Sequence, residues 1–214
     1  YFDACRKNSL KVGFYFSPRD WHFPGLMHPN EYDAEKWHQL PAITDSVANY
    51  QKYERFLGFV LAQMEELLTR YGKIDILWLD GMYFKGVSDM HTEQIYTLIR
   101  SLQPGIVIND RWSNIVNPDD PAGSGMRIGD FTTPFECILP TYTPSQWWEH
   151  CDIWTSGGGG WGYDKTGTFR PYAWFFEHLV ASRSLGGNFL PNVGPDGKGE
   201  MHPNYYKNMD AIAE

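Results

Sequence analysis

Cysteine is scarce in this sequence and offers no framework for a small cross-linked fold. Cys5, Cys137 and Cys151 are the only three among 214 residues, too few and too scattered for a set of disulfides. They also lack the CxxC or Cys/His spacing of a structural zinc site. Cysteine usage therefore excludes neither an oxidising nor a reducing compartment.

Positive charge and long apolar runs are scarce as well. With 18 Lys and Arg against 26 Asp and Glu, the formal net charge is −8, whereas nucleic acids and anionic membranes attract clustered basic residues. No segment approaches the roughly 20 apolar residues of a transmembrane helix. We therefore expect neither nucleic acid nor a membrane as partner and favour a neutral or weakly charged ligand. The oligomeric state is left open.

Aromatic residues, in contrast, are abundant. The chain has 9 Trp, 13 Tyr and 13 Phe, together 16% of the sequence, and several lie in polar, Gly-rich or Pro-rich segments. Aromatic faces cover the C–H surfaces of sugars as readily as they fill cores. Most of these side chains are expected in the core, but the excess favours a carbohydrate ligand.

Hydrophobic periodicity predicts strands that alternate with helices. Helices are predicted over Val47–Tyr71, His91–Leu102 and Tyr172–Leu185, and residues 1–10 are typical of the last turns of another helix. Strands are predicted at Leu10–Ser17, Ile74–Leu79, Gly105–Asp110, Met126–Phe131, Trp148–Trp154 and Asn188–Gly194.

This alternation predicts a parallel sheet with right-handed crossovers. An open doubly wound sheet is the alternative, but no GxGxxG or GxxxxGK[ST] loop opens a helix. We therefore predict an α/β fold, a TIM-like (β/α)8 barrel that is incomplete, with about six of its eight strands present and the first two missing. Residues 1–214 are expected to be the C-terminal three-quarters of this single catalytic barrel.

The segment IDILWLDG, Ile74–Gly81, carries the clearest chemical signal. It is a short apolar strand that ends in Asp80, and catalytic side chains of such barrels gather at the C-terminal ends of the strands. The alternative is that Asp80 caps a turn or the next helix. Trp78 lies two residues earlier and is expected on the same face.

Other strand ends supply the remaining groups of a glycosidase site. Tyr15, Arg111 and Glu136 each follow or end a predicted strand, so two carboxyl groups, an arginine and aromatic rings are expected around one mouth. Cleavage of a glycosidic bond with retention requires one ionised carboxylate as nucleophile and one protonated carboxyl as acid. Asp80 suits the first role and Glu136 the second, with Asp130 as the competing acid.

Two further features favour ordinary structural roles. The glycine-rich run Ser156–Gly160 lacks the Lys and Ser/Thr of a phosphate loop and is interpreted as a lid or turn. His22, His28 and His38 lie in one long polar and aromatic loop without metal-ligand spacing, and solvated or structural histidines are the favoured interpretation.

Seven segments in order resemble the α-L-fucosidases of glycoside hydrolase family 29, and together they span nearly the whole chain. They are LKVGFYFSPRDWH, YGKIDILWLDG, LQPGIVINDRW, GDFTTPFE, WEHC, GWGY and GGNFLPNVGPDGKG.

This resemblance implies a retaining exo-hydrolase that releases terminal α-L-fucose from fucosylated oligosaccharides or glycoconjugates, without a metal or other cofactor. Asp80 matches the family nucleophile, and Glu136 matches the acid/base, although Phe135 is one residue more than the family segment has. Tyr15, Trp78, Arg111 and Trp161 match positions expected at the sugar. A secreted, periplasmic or lysosomal location is implied by the resemblance only.

The HHDGF segment of the family, whose histidines hold fucose hydroxyls, belongs upstream of Tyr1. We therefore expect the chain to be part of a longer enzyme and to hydrolyse little or nothing by itself. Another retaining exo-glycosidase is the alternative within the same class. A non-catalytic sugar-binding barrel or pseudoenzyme is the alternative from another class, since it could keep the aromatics without needing both carboxylates.

Overall fold

In the computed structural model, residues 1–18, 47–80, 91–112, 129–156 and 160–213 are described. They form a mixed α/β structure with small parallel sheets, divided into two compact units, residues 1–130 and 131–214. The helices are α1 Phe2–Lys7, α2 Val47–Arg70, α3 Thr92–Leu102, α4 Tyr172–Ser184 and α5 Pro203–Ala213. The strands are β1 Gly13–Phe16, β2 Ile76–Leu79, β3 Val107–Ile108, β4 Thr132–Glu136, β5 Trp148–Ile153, β6 Thr155–Ser156, β7 Thr168–Phe169 and β8 Asn188–Asn192.

The first unit contains a parallel sheet in the order β1-β2-β3. Alternate residues of β2 point to opposite faces, so Leu77 and Leu79 pack into the core with α2 and α3 while Trp78 faces the other way. The core side chains from the two helices include Phe56, Val60, Met64, Ile95 and Ile99, all at most 1% exposed. The helices therefore cover one face of the sheet, and they do not cover the other face, which carries Trp78.

Helix α2 ends one residue before its predicted end, and the cause is visible at its C-terminus. Gly72 has a positive φ of 74°, a conformation that favours glycine after a helix. The guanidinium of Arg6, at the end of α1, donates hydrogen bonds to the carbonyls of Tyr71 and Lys73. The predicted helical character of the first ten residues is confirmed as α1. Through Arg6, α1 also stabilises the turn between α2 and β2.

The second unit contains a parallel sheet in the order β4-β5-β8 and a short antiparallel pair, β6 with β7. His150 of β5 stacks on His178 of α4 at 5.1 Å between ring centroids, so α4 covers the face of this sheet that carries His150. The helix α5 and the β6–β7 pair are absent from the sequence predictions. Among the described residues, no helix has both the length and the apolar character needed to cross a membrane.

The predicted strand Met126–Phe131 is wrong at Gly129 and Asp130, which form a bend, whereas Phe131 forms a β-bridge and β4 begins at Thr132. The Asp130 backbone N–H donates to the Ile108 carbonyl at 2.7 Å, and the Asp130 carboxylate accepts the Ile108 N–H at 2.8 Å. A Cβ at Gly129 would lie 2.5 Å from the Asp110 backbone. Residues 129–130 thus pack directly against the end of β3, and β3 ends after two residues.

Candidate active site

Asp80 lies immediately after β2, on the face that the helices of its unit do not cover. Its carboxylate is held on both oxygens: the Tyr15 hydroxyl donates to Oδ2 at 2.8 Å, and Arg111 Nη1 donates to Oδ1 at 3.1 Å. The Asp80 side chain remains 33% exposed. The carboxylate is therefore fixed in orientation and still accessible to a ligand.

Two aromatic rings and a guanidinium surround this carboxylate. Tyr15 and Trp78 are register partners on β1 and β2, and their rings stack at 5.6 Å with an interplanar angle of 25°. The Arg111 guanidinium lies over the Trp78 ring at 4.4 Å, a distance at which the ring face attracts a cation. The structure thus brings together four predicted site residues, Tyr15, Trp78, Asp80 and Arg111.

The Tyr15 hydroxyl stays protonated and therefore acts as a hydrogen-bond donor. Partial burial raises the pKa of Tyr15 above the usual value for tyrosine, the hydrogen bond to Asp80 raises it further, and the charge of Arg111 opposes these effects only in part. The hydroxyl therefore remains protonated at neutral pH and donates to the carboxylate.

Backbone and side-chain contacts from the end of β3 fix the position of Asp80. The buried amide of Asn109 accepts the Leu79 N–H and donates to the Leu79 carbonyl, both at 2.9 Å. Trp112, which is fully buried, donates its indole N–H to the Asp80 carbonyl at 3.0 Å. Tyr96 of α3 donates to the Asn109 carbonyl at 2.6 Å. These contacts join β2 to the segment that carries Arg111.

Glu136 belongs to the second unit, where it ends β4 and is exposed. In the parallel register, Phe135 pairs with His150 and Glu136 pairs with Cys151. Because His150 faces α4, the alternation of the strand places Glu136 on the opposite face. Glu136 thus lies at the C-terminal end of its strand and on the face away from α4.

Asp130, the competing acid, has structural partners on both carboxylate oxygens. Oδ1 accepts a hydrogen bond from Arg100 at 2.8 Å, and Oδ2 accepts the Ile108 N–H at 2.8 Å. These contacts join α3, β3 and the bend at residues 129–130.

Trp161, the remaining predicted site residue, is 42% exposed. Its carbonyl accepts a hydrogen bond from the Asn192 side chain at 2.8 Å, which places it beside the C-terminal end of β8. Trp154, the last residue of the predicted strand Trp148–Trp154, is instead 1% exposed and donates to the Arg170 carbonyl, so it is a core residue.

Several predicted features lie outside the described residues. These are the loop histidines His22, His28 and His38, and residues 157–159 of the glycine-rich run.

Sequence reasoning missed two arrangements that the structure reveals. One is the Asn109 amide, which bonds to the backbone of β2. The other is a buried cluster of His150, Asp152 and His178. His150 and Asp152 are two apart on a predicted strand and so share a face, a signal that was available, but the third member comes from α4.

An accessible carboxylate between a tyrosine and an arginine, beside a stacked aromatic pair, is a site of the kind that glycoside hydrolases use. The family model described as Alpha-L-fucosidase matches residues 1–214. This chain belongs to the α-L-fucosidase family.

Individual relatives agree with the family match. The chain is 24% identical to the tissue alpha-L-fucosidase of Rattus norvegicus over 99% of this chain and 41% of the relative. It is 28% identical to alpha-L-fucosidase 1 of Arabidopsis thaliana over 77% of this chain and 35% of the relative. The chain thus spans less than half the length of these curated relatives.

Solved structures show the same similarity in three dimensions. Alpha-L-fucosidase isoenzyme 1 from Paenibacillus thiaminolyticus has a TM-score of 0.76 and 31% identity, covering 99% of this chain and 50% of that one. A family GH29 alpha-L-fucosidase from Bacteroides thetaiotaomicron, solved as a trapped covalent intermediate with 2-fluoro-fucosyl fluoride in a Glu-to-Gln mutant, has a TM-score of 0.75 and 26% identity. It covers 99% of this chain and 47% of that one.

Proposed function

We propose that the protein containing this chain is a retaining exo-α-L-fucosidase that releases terminal α-L-fucose from fucosylated glycans. The observation that carries the proposal is the Asp80 carboxylate, held by Tyr15 and Arg111 at the end of a parallel strand, in a chain of the α-L-fucosidase family. No step of this proposal uses a metal or other cofactor.

Asp80 is the proposed nucleophile. Its carboxylate attacks the anomeric carbon of fucose, and the glycosidic C–O bond breaks as Glu136 gives its proton to the leaving oxygen. Water then attacks the fucosyl-enzyme, Glu136 takes the proton of that water, and the ester bond to Asp80 breaks. The trapped covalent intermediate of the Bacteroides thetaiotaomicron enzyme, obtained with a Glu-to-Gln mutant, supports a covalent route and an acid/base glutamate.

The contacts of the two acidic candidates support Glu136 over Asp130 as acid/base. Asp130 has both oxygens in hydrogen bonds that hold β3 and α3, so a proton-transfer role would break structural contacts. Glu136 is exposed and faces away from α4, as Asp80 faces away from the helices of its own unit.

Tyr15, Trp78, Arg111 and Trp161 are the proposed sugar-binding residues. Tyr15 and Trp78 form a stacked pair, and the exposed Tyr15 ring offers aromatic surface to the C–H groups of a sugar. Arg111, which lies over Trp78, offers guanidinium N–H groups to ring or hydroxyl oxygens. We further propose that residues 1–214 belong to one (β/α)8 barrel, a proposal supported by the parallel sheets and by their alternation with helices.

The decisive experiment for Asp80 is the substitution Asp80→Ala in the full-length protein, assayed with 4-nitrophenyl α-L-fucoside. We expect a loss of turnover of about 10³-fold or more, since the nucleophile is removed. Added azide should restore turnover and yield a fucosyl azide of inverted configuration. Undiminished turnover in Asp80→Ala would remove Asp80 from this role.

Glu136→Gln and Asp130→Asn form a matched pair for the acid/base. We expect Glu136→Gln to lose the basic limb of the pH profile and to lose most activity on substrates with poor leaving groups. The same signature in Asp130→Asn, with a normal profile in Glu136→Gln, would reverse the assignment. A protein that binds fucose but turns over no nitrophenyl sugar would instead support a non-catalytic sugar-binding role, and preference for another sugar would support a different exo-glycosidase.

A further inference from the structure

A buried cluster of potential metal ligands lies between the second sheet and α4. It consists of His150 and Asp152 on β5 and His178 on α4, which are 0%, 2% and 5% exposed. His150 and Asp152 share a face because they are two residues apart on a strand. The cluster therefore joins the sheet to the helix that covers it.

The three groups converge on one carboxylate oxygen. Asp152 Oδ2 lies 3.7 Å from His150 Nε2 and 3.5 Å from His178 Nδ1, and the three ligand atoms lie within 4.8 Å of one another. Two ligands of one tetrahedral zinc ion are about 3.3 Å apart, given zinc–ligand distances of about 2.0–2.2 Å. Small side-chain rotations would bring all three atoms to bonding distance from one ion.

The two histidine nitrogens that face Asp152 have no hydrogen-bond partner within the part of the chain that is described. Their distances from Asp152 exceed the usual range of an N–H···O bond. An unsatisfied buried nitrogen is costly, and two at one point are unusual.

In His150 and Asp152, the atoms that point away from the common centre are held by other groups. His150 shares a hydrogen bond with Ser182 through Nδ1 at 3.2 Å. Asp152 Oδ1 accepts the Ile153 N–H at 2.6 Å and lies 3.5 Å from Arg170 Nη1. Such outer contacts orient the ligands of metal sites and leave the binding atoms free. Arg170 engages Oδ1, whereas both histidine nitrogens face Oδ2.

We propose that His150, Asp152 and His178 bind a zinc ion that links α4 to the second sheet. Two imidazoles and one carboxylate are a donor set suited to zinc, with one position open to water. The proposed ion has a structural role and takes no part in fucose release, because the strand alternation places Glu136 on the opposite face of this sheet from His150. The proposal stands independently of the proposed fucosidase activity.

Metal content and stability test this proposal on the purified full-length protein after chelation and reconstitution with zinc. We expect Asp152→Asn and His178→Gln each to bind one zinc per chain fewer than the wild type. Zinc should raise the unfolding midpoint of the wild type and not that of either variant, because an ion that binds only the folded state stabilises it. His202→Gln, a histidine of the same unit outside the cluster, is the matched control and should bind as much zinc as the wild type.

Anomalous scattering from zinc-soaked wild-type crystals tests the site without any substitution, should a variant fail to fold. We expect a peak between His150 and His178. No peak there, or folded Asp152→Asn and His178→Gln variants that bind as much zinc as the wild type, would overturn the proposal.

Discussion

At the scale of single residues, the hydroxyl of Tyr15 is the most testable contact of the site. Tyr15→Phe removes the donor to Asp80 Oδ2 and leaves the ring that stacks on Trp78. A hydrogen bond to a charged group contributes about 1.5–3 kcal/mol, so we expect kcat/KM to fall by about 10- to 100-fold. Steady-state kinetics would measure this fall, and the unfolding midpoint should change little because Tyr15 is 58% exposed.

The control for Tyr15 is Tyr172→Phe, which removes an exposed hydroxyl on α4 and should leave kcat/KM unchanged. Equal kinetics of Tyr15→Phe and wild type would show that the hydroxyl does not support the function of Asp80.

The grouping of Asp80 with Tyr15, Trp78 and Arg111 could be predicted, because strand-end position and two-residue alternation are local properties of the sequence. Asp80 and Trp78 share a face by alternation, Tyr15 lies on the neighbouring strand β1, and Arg111 follows the neighbouring strand β3. The role of Asp130 was not predictable, because it depends on a close crossing over β3. His178 could not be placed beside Asp152 for the same reason: packing between elements decides which side chains meet.

At the scale of secondary-structure elements, the Asn109 amide connects β3 to β2 beside the site. Asn109→Leu would leave the buried N–H and carbonyl of Leu79 without the two bonds they now make. Each unsatisfied group costs about 1–3 kcal/mol, so we expect a loss of about 2–5 kcal/mol in the free energy of unfolding, measured by urea denaturation. In Asn8→Ala, the exposed amide loses one bond to Ala4, and the change should stay within about 0.5 kcal/mol. Similar losses in both variants would contradict the role of Asn109.

The second element-scale prediction concerns Tyr96, which joins α3 to β3. Burial raises the pKa of Tyr96 above its usual value, so above about pH 10 the unfolded chain loses this proton while the folded chain keeps it. The contribution of Tyr96 to stability is therefore complete below about pH 10 and declines by about 1.4 kcal/mol per pH unit above it.

Tyr96→Phe isolates this effect. At neutral pH we expect the variant to be less stable by about 1–2 kcal/mol, because it loses the bond to the Asn109 carbonyl. The difference from wild type should shrink as the pH rises above about 10, since phenylalanine does not titrate. Urea denaturation at neutral and alkaline pH measures both values. A difference that is constant with pH would contradict the predicted titration.

Helices were easier to predict than strands for a physical reason. A helix such as α2 repeats its apolar face over many turns and ends at a glycine. A strand exists only where a partner accepts its hydrogen bonds. Strand β3 has β2 as a partner on one edge, but on its other edge the Asp130 carboxylate accepts the Ile108 N–H in place of a strand. The predicted strand Gly105–Asp110 is reduced to Val107–Ile108.

At the scale of the whole molecule, both units share one arrangement. A buried apolar strand residue is followed directly by the candidate carboxylate residue, which lies on the opposite face of the sheet. In the first unit Leu79 is in the core and Asp80 is accessible. In the second unit Phe135 is buried and Glu136 is exposed. The alternation that makes each strand half-buried therefore also presents its carboxylate. It predicted the position of Asp80, whereas Glu136 was expected in a loop and instead ends β4.

The net charge of −8 gives a prediction for substrate selection that rests on the proposed function. A neutral substrate feels no long-range force, so kcat/KM for 4-nitrophenyl α-L-fucoside should change less than about two-fold between low and physiological salt. An aryl fucoside that carries a carboxylate is repelled by the net negative field, and screening weakens that repulsion. Its kcat/KM should therefore rise several-fold over the same range of salt. A fall with added salt would mean that the positive charge of Arg111 dominates the approach to Asp80.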